Sequence, residues 1–260
     1  VSMSFFRGLG RRAMTLIRRL PRPEYTEFGH WDRVYERHTA AVPIEWGLPP
    51  QEVVNYQYTN SNSIFFNEQV IWIWPGQWSI DSGEYGQELG GSLEEHVSKR
   101  DKVMVAGCGN SLLSEYLFLC GWKNLTSVDF SAVGVKQVQE RAVRSGLGDM
   151  KFVVADMRRL HETFPRDAFD CVVDKGTLDA MYCSSDADTA VPHMKESLLR
   201  VLRGGGRYVS VINGGVYGLL QPVNLVQLLD DPRWDTLEQR RLLPLSDGMF
   251  LFVWTKKKKS

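Results

Sequence analysis

Five residues stand where the ends of short apolar runs place them for chemistry. Gly107 and Gly109 follow V-M-V-A, Asp129 ends L-T-S-V-D, Asp156 follows K-F-V-V-A, and Asp174 ends F-D-C-V-V-D. Asp129 lies 20 residues beyond Gly109, the interval at which an acid on a second strand accepts hydrogen bonds from both hydroxyls of a ribose. The same carboxylate would also suit a cap for the helix that opens at Ser131. Asp156, at the same edge of a parallel sheet, could accept from an adenine amino group, or stand there only as a polar strand end. Asp174 runs directly into K-G-T-L-D-A-M, whose Thr177 and Asp179 fit the first turn of a helix.

The glycine pair narrows the ligand. Residues 103–111 read V-M-V-A-G-C-G-N-S and lead into the amphipathic stretch Leu112–Cys120, so strand, tight turn and helix follow in the order of a nucleotide-binding βα unit. A dinucleotide fingerprint needs a third glycine at position 112, where this chain has Leu112, and no Gly-Lys-Ser/Thr follows to grip phosphates. A glycine turn without phosphate machinery suits a nucleoside that carries no phosphate, of which S-adenosylmethionine is the common one.

The elements that must position these residues can be laid out from periodicity. Strands are expected at 103–106, 125–129, 151–157 and 169–174, with helices over Ser131–Ser145 (N-cap Ser131, end at Gly146), Thr177–Tyr182 and Pro192–Leu202. The last helix would stop at Gly204-Gly205-Gly206, and Arg207–Ile212 would form a further strand. Leu237–Leu243 and Met249–Trp254 would pair through a turn at Ser246-Asp247-Gly248. The sum is an α/β fold: a doubly wound, mostly parallel seven-stranded sheet with a terminal antiparallel strand pair, and a ligand at the carboxyl ends of the strands.

A-G-C-G-N-S, S-V-D-F-S and above all D-K-G-T-L-D-A at 174–180 resemble class I (seven-strand, Rossmann-like) S-adenosylmethionine-dependent methyltransferases. The closer likeness is to the lysine methyltransferases of translation elongation factor 1-alpha and their citrate synthase-modifying relatives. W-D-R-V-Y at 31–35 with the acid-Trp pair Glu45-Trp46 fits that group, and Val105, where many class I enzymes carry an acid, matches its apolar preference. The resemblance implies S-adenosylmethionine as cofactor, with no metal, and a protein substrate such as an elongation factor. It also implies residue roles. Gly107 and Gly109 shape the pocket, Asp129 holds ribose, Phe130 packs on adenine, and Asp156 with Met157 frames the base. Trp31, Tyr35 and Trp46 close over the methionine part, and Lys175 lies near the cofactor through its backbone. Asp174 faces the methyl-transfer region, where a carboxylate could orient a lysine ammonium and apolar neighbours favour loss of its proton. Asp174 and Lys175 are therefore the catalytic candidates. A small-molecule methyltransferase and a non-catalytic S-adenosylmethionine-binding module are the alternatives; the presence of both cofactor acids argues against the second.

Composition sets the bounds. At 260 residues with 43% apolar side chains, one large domain spanning 25–255 is expected. Lys plus Arg and Asp plus Glu both number 31, so no global field draws the chain to nucleic acid or membrane, and no apolar run reaches the ~20 residues of a membrane span. The four cysteines lack a C-x-x-C pair, and the five histidines lack metal-ligand spacing. Residues 1–24 form a basic extension that is acid-free as far as Pro23, with six arginines, which fits either a disordered arm of a cytoplasmic enzyme or a mitochondrial transit peptide. Residues 50–98 insert an aromatic segment in which V-I-W-I-W at 70–74 suits a hairpin strand. Its aromatics suit either a methylammonium cage or a small apolar patch of their own, and the Lys-rich run at 256–260 reads as a solvated tail.

Overall fold

The computed structural model describes residues 25–37, 63–66, 69–72, 91–213, 227–241 and 249–258. Trp46, the extension at 1–24, most of the aromatic insertion and the expected turn at 246–248 lie outside the described residues.

Four β-branched runs become parallel strands: β3 (Val103–Ala106), β4 (Leu125–Asp129), β5 (Lys151–Val154) and β6 (Phe169–Lys175). Together with β7 (Leu202–Asn213), β8 (Trp234–Arg241) and β9 (Met249–Lys256) they build one seven-stranded sheet in the order β5-β4-β3-β6-β7-β9-β8. The strands from β5 to β7 are parallel, and β9 runs antiparallel between β7 and β8. Within the insertion, β1 (Ser63–Phe66) and β2 (Gln69–Trp72) pair antiparallel as a two-stranded hairpin.

Alternation along the strands gives the sheet two buried faces. Val103 and Val105 point to one side, where Leu117 of α2 (Leu113–Leu119) and Val138 of α3 (Ala132–Arg144) cover them. Met104 and Ala106 point to the other, against Leu178 of α4 (Thr177–Cys183) and Met194 and Leu198 of α5 (Ala187–Val201). This is the doubly wound arrangement expected from the sequence. Because the chain goes from β3 outward to β4 and β5, then returns to β6 on the other side, the order reverses between β3 and β6. Ligands of open α/β sheets bind in the crevice beyond such a switch point.

Several boundaries differ from the sequence reading. Helix α5 begins at Ala187, not at Pro192, which falls inside it. Strand β7 begins at Leu202 and takes in the glycine run at 204–206, where its register on β6 shifts between Phe169 and Cys171. Lys256 is no tail residue: it ends β9, and its buried ammonium donates to Asp167 and to the Leu202 carbonyl. Ser131 does cap α3, accepting from the Gly134 amide at 3.0 Å. None of the four cysteines forms a disulfide.

Candidate active site

The crevice beyond β3 and β6 is a cleft of ≈ 720 Å³, open to solvent. Its walls come from the turn after β3, the ends of β4 and β6, the loop after β5, and an N-terminal segment that crosses above them. Of the expected cofactor residues that are described, Trp31, Tyr35, Gly107, Gly109, Asp129, Phe130, Asp156, Met157 and Lys175 all line it.

The glycine turn is held open by conformation and by contact. Gly107 (φ +57°) and Gly109 (φ +51°) adopt the left-handed region that side chains avoid. A Cβ on Gly107 would stand 1.8 Å from the Thr177 hydroxyl, and one on Gly109 would stand 2.5 Å from the Tyr35 hydroxyl. The close approach that demands glycine is thus made by the protein's own Thr177 and Tyr35, in addition to any ligand.

Asp129, 5% exposed, uses its carboxylate on the local backbone. One oxygen accepts from the Gly109 amide at 2.8 Å and the other from the Ser131 amide at 2.8 Å. The Phe130 amide adds a third backbone donor, which leaves about one lone pair for a ligand donor. Burial pushes this carboxyl up to about 6, against the pull of those three amides. Its capping role and its place on the cleft wall are therefore both present.

Asp156 is shared. Arg158 grips both of its oxygens through Nε and Nη2, at 2.8–3.0 Å, and also donates to the Thr26 carbonyl. Since Arg158 is committed to this pair, the cleft offers no cluster of cations for phosphates. Its two carboxylates and its backbone turn match a nucleoside that presents hydroxyl and amino donors, so the residues fit S-adenosylmethionine better than a phosphorylated nucleotide.

Asp174 departs from the sequence reading. It is fully buried and does not line the cleft. Four donors converge on its carboxylate: the Thr177 and Leu178 amides at 2.9 and 3.2 Å, and the Tyr208 and Ser210 hydroxyls at 2.7 and 3.1 Å. Burial nonetheless holds its carboxyl above the ordinary range. A carboxylate sealed this way cannot contact an acceptor lysine. It fixes the start of α4 and thereby Thr177, whose hydroxyl donates to the Ala106 carbonyl at 3.0 Å. Lys175, one residue on, does reach the cleft wall.

The segment over the cleft is an aromatic strap. In α1 (Phe28–Arg37) Trp31 and Tyr35 fall on one helix face four residues apart and stack at 5.8 Å, and Tyr25 stacks on Trp31 at 5.8 Å. The Trp31 indole donates to the Tyr25 carbonyl at 2.8 Å. The strap is tied down through Ser131 donating to Asp32, Gln137 donating to the Tyr35 carbonyl, and Thr26 donating to Asp186. Burial, and then the Asp129 charge, hold the Tyr35 phenol well above its ordinary value, so it stays a neutral donor.

One anchor has no counterpart in the sequence reading. Arg141 of α3, 1% exposed, donates to the carbonyls of Asn110 and Ser111 at 2.6 and 2.7 Å and to Glu115 at 2.6 Å. It clamps the turn that shapes the cleft. No group of three or more His, Cys, Asp or Glu among the described residues could hold a metal ion.

Known proteins similar to this chain are methyltransferases by name or fold. Residues 104–210 match the family described as "Methyltransferase domain". The human "eEF1A lysine and N-terminal methyltransferase" is 40% identical over 127 residues, which cover 48% of this chain and 18% of that protein. The mouse "EEF1A lysine methyltransferase 4" is 38% identical over 131 residues, covering 47% of this chain and 50% of that protein. The chain thus spans at most half the length of these curated relatives. Among solved structures, a Pyrococcus horikoshii protein superposes with a TM-score of 0.54 at 20% identity, over 66% of this chain and 89% of that one. A SAM-dependent methyltransferase from Methanosarcina mazei gives 0.51 at 17%, over 65% of this chain and 98% of that one. These two similarities speak to the fold.

Proposed function

We propose that this chain, which carries a class I methyltransferase domain resembling the elongation factor 1-alpha lysine methyltransferases, transfers a methyl group from S-adenosylmethionine to a lysine of a protein substrate. The observation that carries the reading is the cleft at the β3–β6 switch point. It joins a phosphate-free glycine turn to two strand-end carboxylates under an aromatic strap. Elongation factor 1-alpha is the substrate that the two relatives' names supply.

When bound, S-adenosylmethionine supplies a methyl already activated on a sulfonium. The protein's task is then placement more than acid–base chemistry. Asp129, oriented by the Gly109 amide, would fix the ribose end. Phe130 and Met157 would clasp the adenine, with Asp156 at its amino edge. Trp31 and Tyr35 would present ring faces toward the positive sulfonium. The acceptor amine has to arrive without its proton, and the apolar faces of Met181, Ala180 and Trp31 lower its pKa by desolvation. Lys175 and the Asp174-anchored turn would hold the floor on which that amine is aligned.

The test is to incubate the protein with methyl-tritiated S-adenosylmethionine and purified elongation factor 1-alpha, then map any label by mass spectrometry. Methylation on a lysine of the factor is expected. Label confined to small molecules would favour the small-molecule alternative, and no label on either would refute the reading.

A further inference from the structure

Beyond the cleft, on the α5 side of the sheet, lies a second and wider groove of ≈ 1280 Å³, also open to solvent. Arg158 lines both, so groove and cleft are neighbours. The groove runs along α5 past Arg200, beside Arg166, to Lys257 and Lys258 beyond β9. Some of its cations are neutralised: Arg158 by Asp156, Arg233 by Glu196 and Asp231, and Lys256 by Asp167. Among the described residues, Arg166, Arg200, Lys257 and Lys258 are exposed and have no carboxylate partner, and Glu196 is the only acid on the lining. Over a chain whose formal charges cancel, this is a local excess of positive charge placed beside the candidate active site.

Four unpaired, exposed cations around one groove are a recognition surface for negative charge. Their field speeds and orients encounter with a partner of opposite sign. Among the described residues the groove carries no Phe, Tyr or Trp on which bases would stack, as single-stranded nucleic acid readers require. Arg158, paired with Asp156 on the cleft wall, sets the groove beside the cleft rather than apart from it. We propose that this groove docks an acidic segment of the methyl-accepting protein, holding its lysine at the cleft mouth by raising its effective concentration there. This inference rests on the lysine methyltransferase reading above.

The variant Arg166→Glu/Arg200→Glu/Lys257→Glu/Lys258→Glu reverses the four charges and touches no residue of the cleft. Two readouts are needed. In fluorescence anisotropy, a fluorescein-labelled oligoglutamate peptide should bind the wild type at low salt, weaken as salt screens it, and lose at least about tenfold in affinity on the variant. In methylation of elongation factor 1-alpha, KM for the factor should rise by about tenfold, with kcat and the affinity for S-adenosylmethionine unchanged. Absence of peptide binding, or an unchanged KM, overturns the docking assignment. So does a labelled RNA duplex that binds this groove more tightly than the peptide, because it would make the partner a nucleic acid. If the factor is not methylated but the peptide binds wild type and not the variant, elongation factor 1-alpha is not the acceptor, while the groove's preference for an acidic segment stands.

Discussion

Replacing Arg141 by Met should unfold much of the molecule's margin, because a single buried guanidinium holds three acceptors at once. The substitution keeps most of the side-chain volume and removes every donor. It strands the Glu115 carboxylate, whose side chain is 5% exposed, and leaves the Asn110 and Ser111 carbonyls without the donors 2.6 and 2.7 Å away. Breaking one side of a buried ion pair costs about 3–5 kcal/mol, and each orphaned buried acceptor adds about 1 kcal/mol or more. The expected loss is therefore roughly 5–7 kcal/mol, against a total stability on the order of 5–15 kcal/mol. The double variant Arg141→Met/Glu115→Leu removes the stranded charge and should recover about 2–4 kcal/mol, so the two changes are strongly non-additive. Urea unfolding followed by tryptophan fluorescence, with midpoints compared at constant slope, measures both. A single variant that loses less than about 1 kcal/mol, or a double variant whose loss equals the sum of the singles, would refute the clamp. Arg141→Lys should fall between, since an ammonium cannot reproduce the fork.

Gly109→Ala should lower Tm and weaken cofactor binding, because the residue sits at φ +51° and its new Cβ meets the Tyr35 hydroxyl at 2.5 Å; Tyr35→Phe in the same chain should return part of the loss, leaving roughly 1–2 kcal/mol of backbone strain. With Asp129 titrating at about 6 in the free protein, ribose hydroxyls that favour its ionised form should release protons on binding near that pH and lose affinity below it. Calorimetry in buffers of different ionisation enthalpy detects the proton, and Asp129→Asn should abolish the dependence. The same raised value has an opposite consequence for stability: this group favours folding most below the unfolded carboxylate range and withdraws that contribution as pH rises through about 6. Asp174→Asn sets an amide donor against some of the four donors around it and should cost about 2–4 kcal/mol, read as a fall in Tm; an unchanged Tm with an altered KM for the acceptor would return Asp174 to substrate contact.

What the sequence made legible was whatever depends on neighbours along the chain. The strand runs ending at Ala106 and Asp129, the glycine turn and the Ser131 cap are local patterns, and they stand where periodicity puts them. Arg141 was hidden because it is a cation on the buried side of α3, and its partners Asn110 and Ser111 are 31 and 30 residues away. Asp174 looked like a site residue because it ends a strand at the right edge. Tyr208 and Ser210, 34 and 36 residues on, turn it inward. Pro192 suggested a helix start, but a proline within the opening turns of α5 removes one bond from a helix that packing holds. The glycine run at 204–206 read as a helix stop followed by a loop, whereas pairing with β6 draws it into β7 with a register shift.

Whether the cleft at the β3–β6 switch point receives a phosphate-free adenosyl cofactor is decided by isothermal titration of the protein with S-adenosylmethionine, with ATP and NAD as comparison ligands. One site per chain is expected for S-adenosylmethionine, lost in Gly107→Val, whose side chain would displace Thr177, and no comparable binding of either phosphate-bearing ligand. Tight binding of NAD or ATP in its place, or no binding of S-adenosylmethionine at all, would contradict that assignment of the cleft.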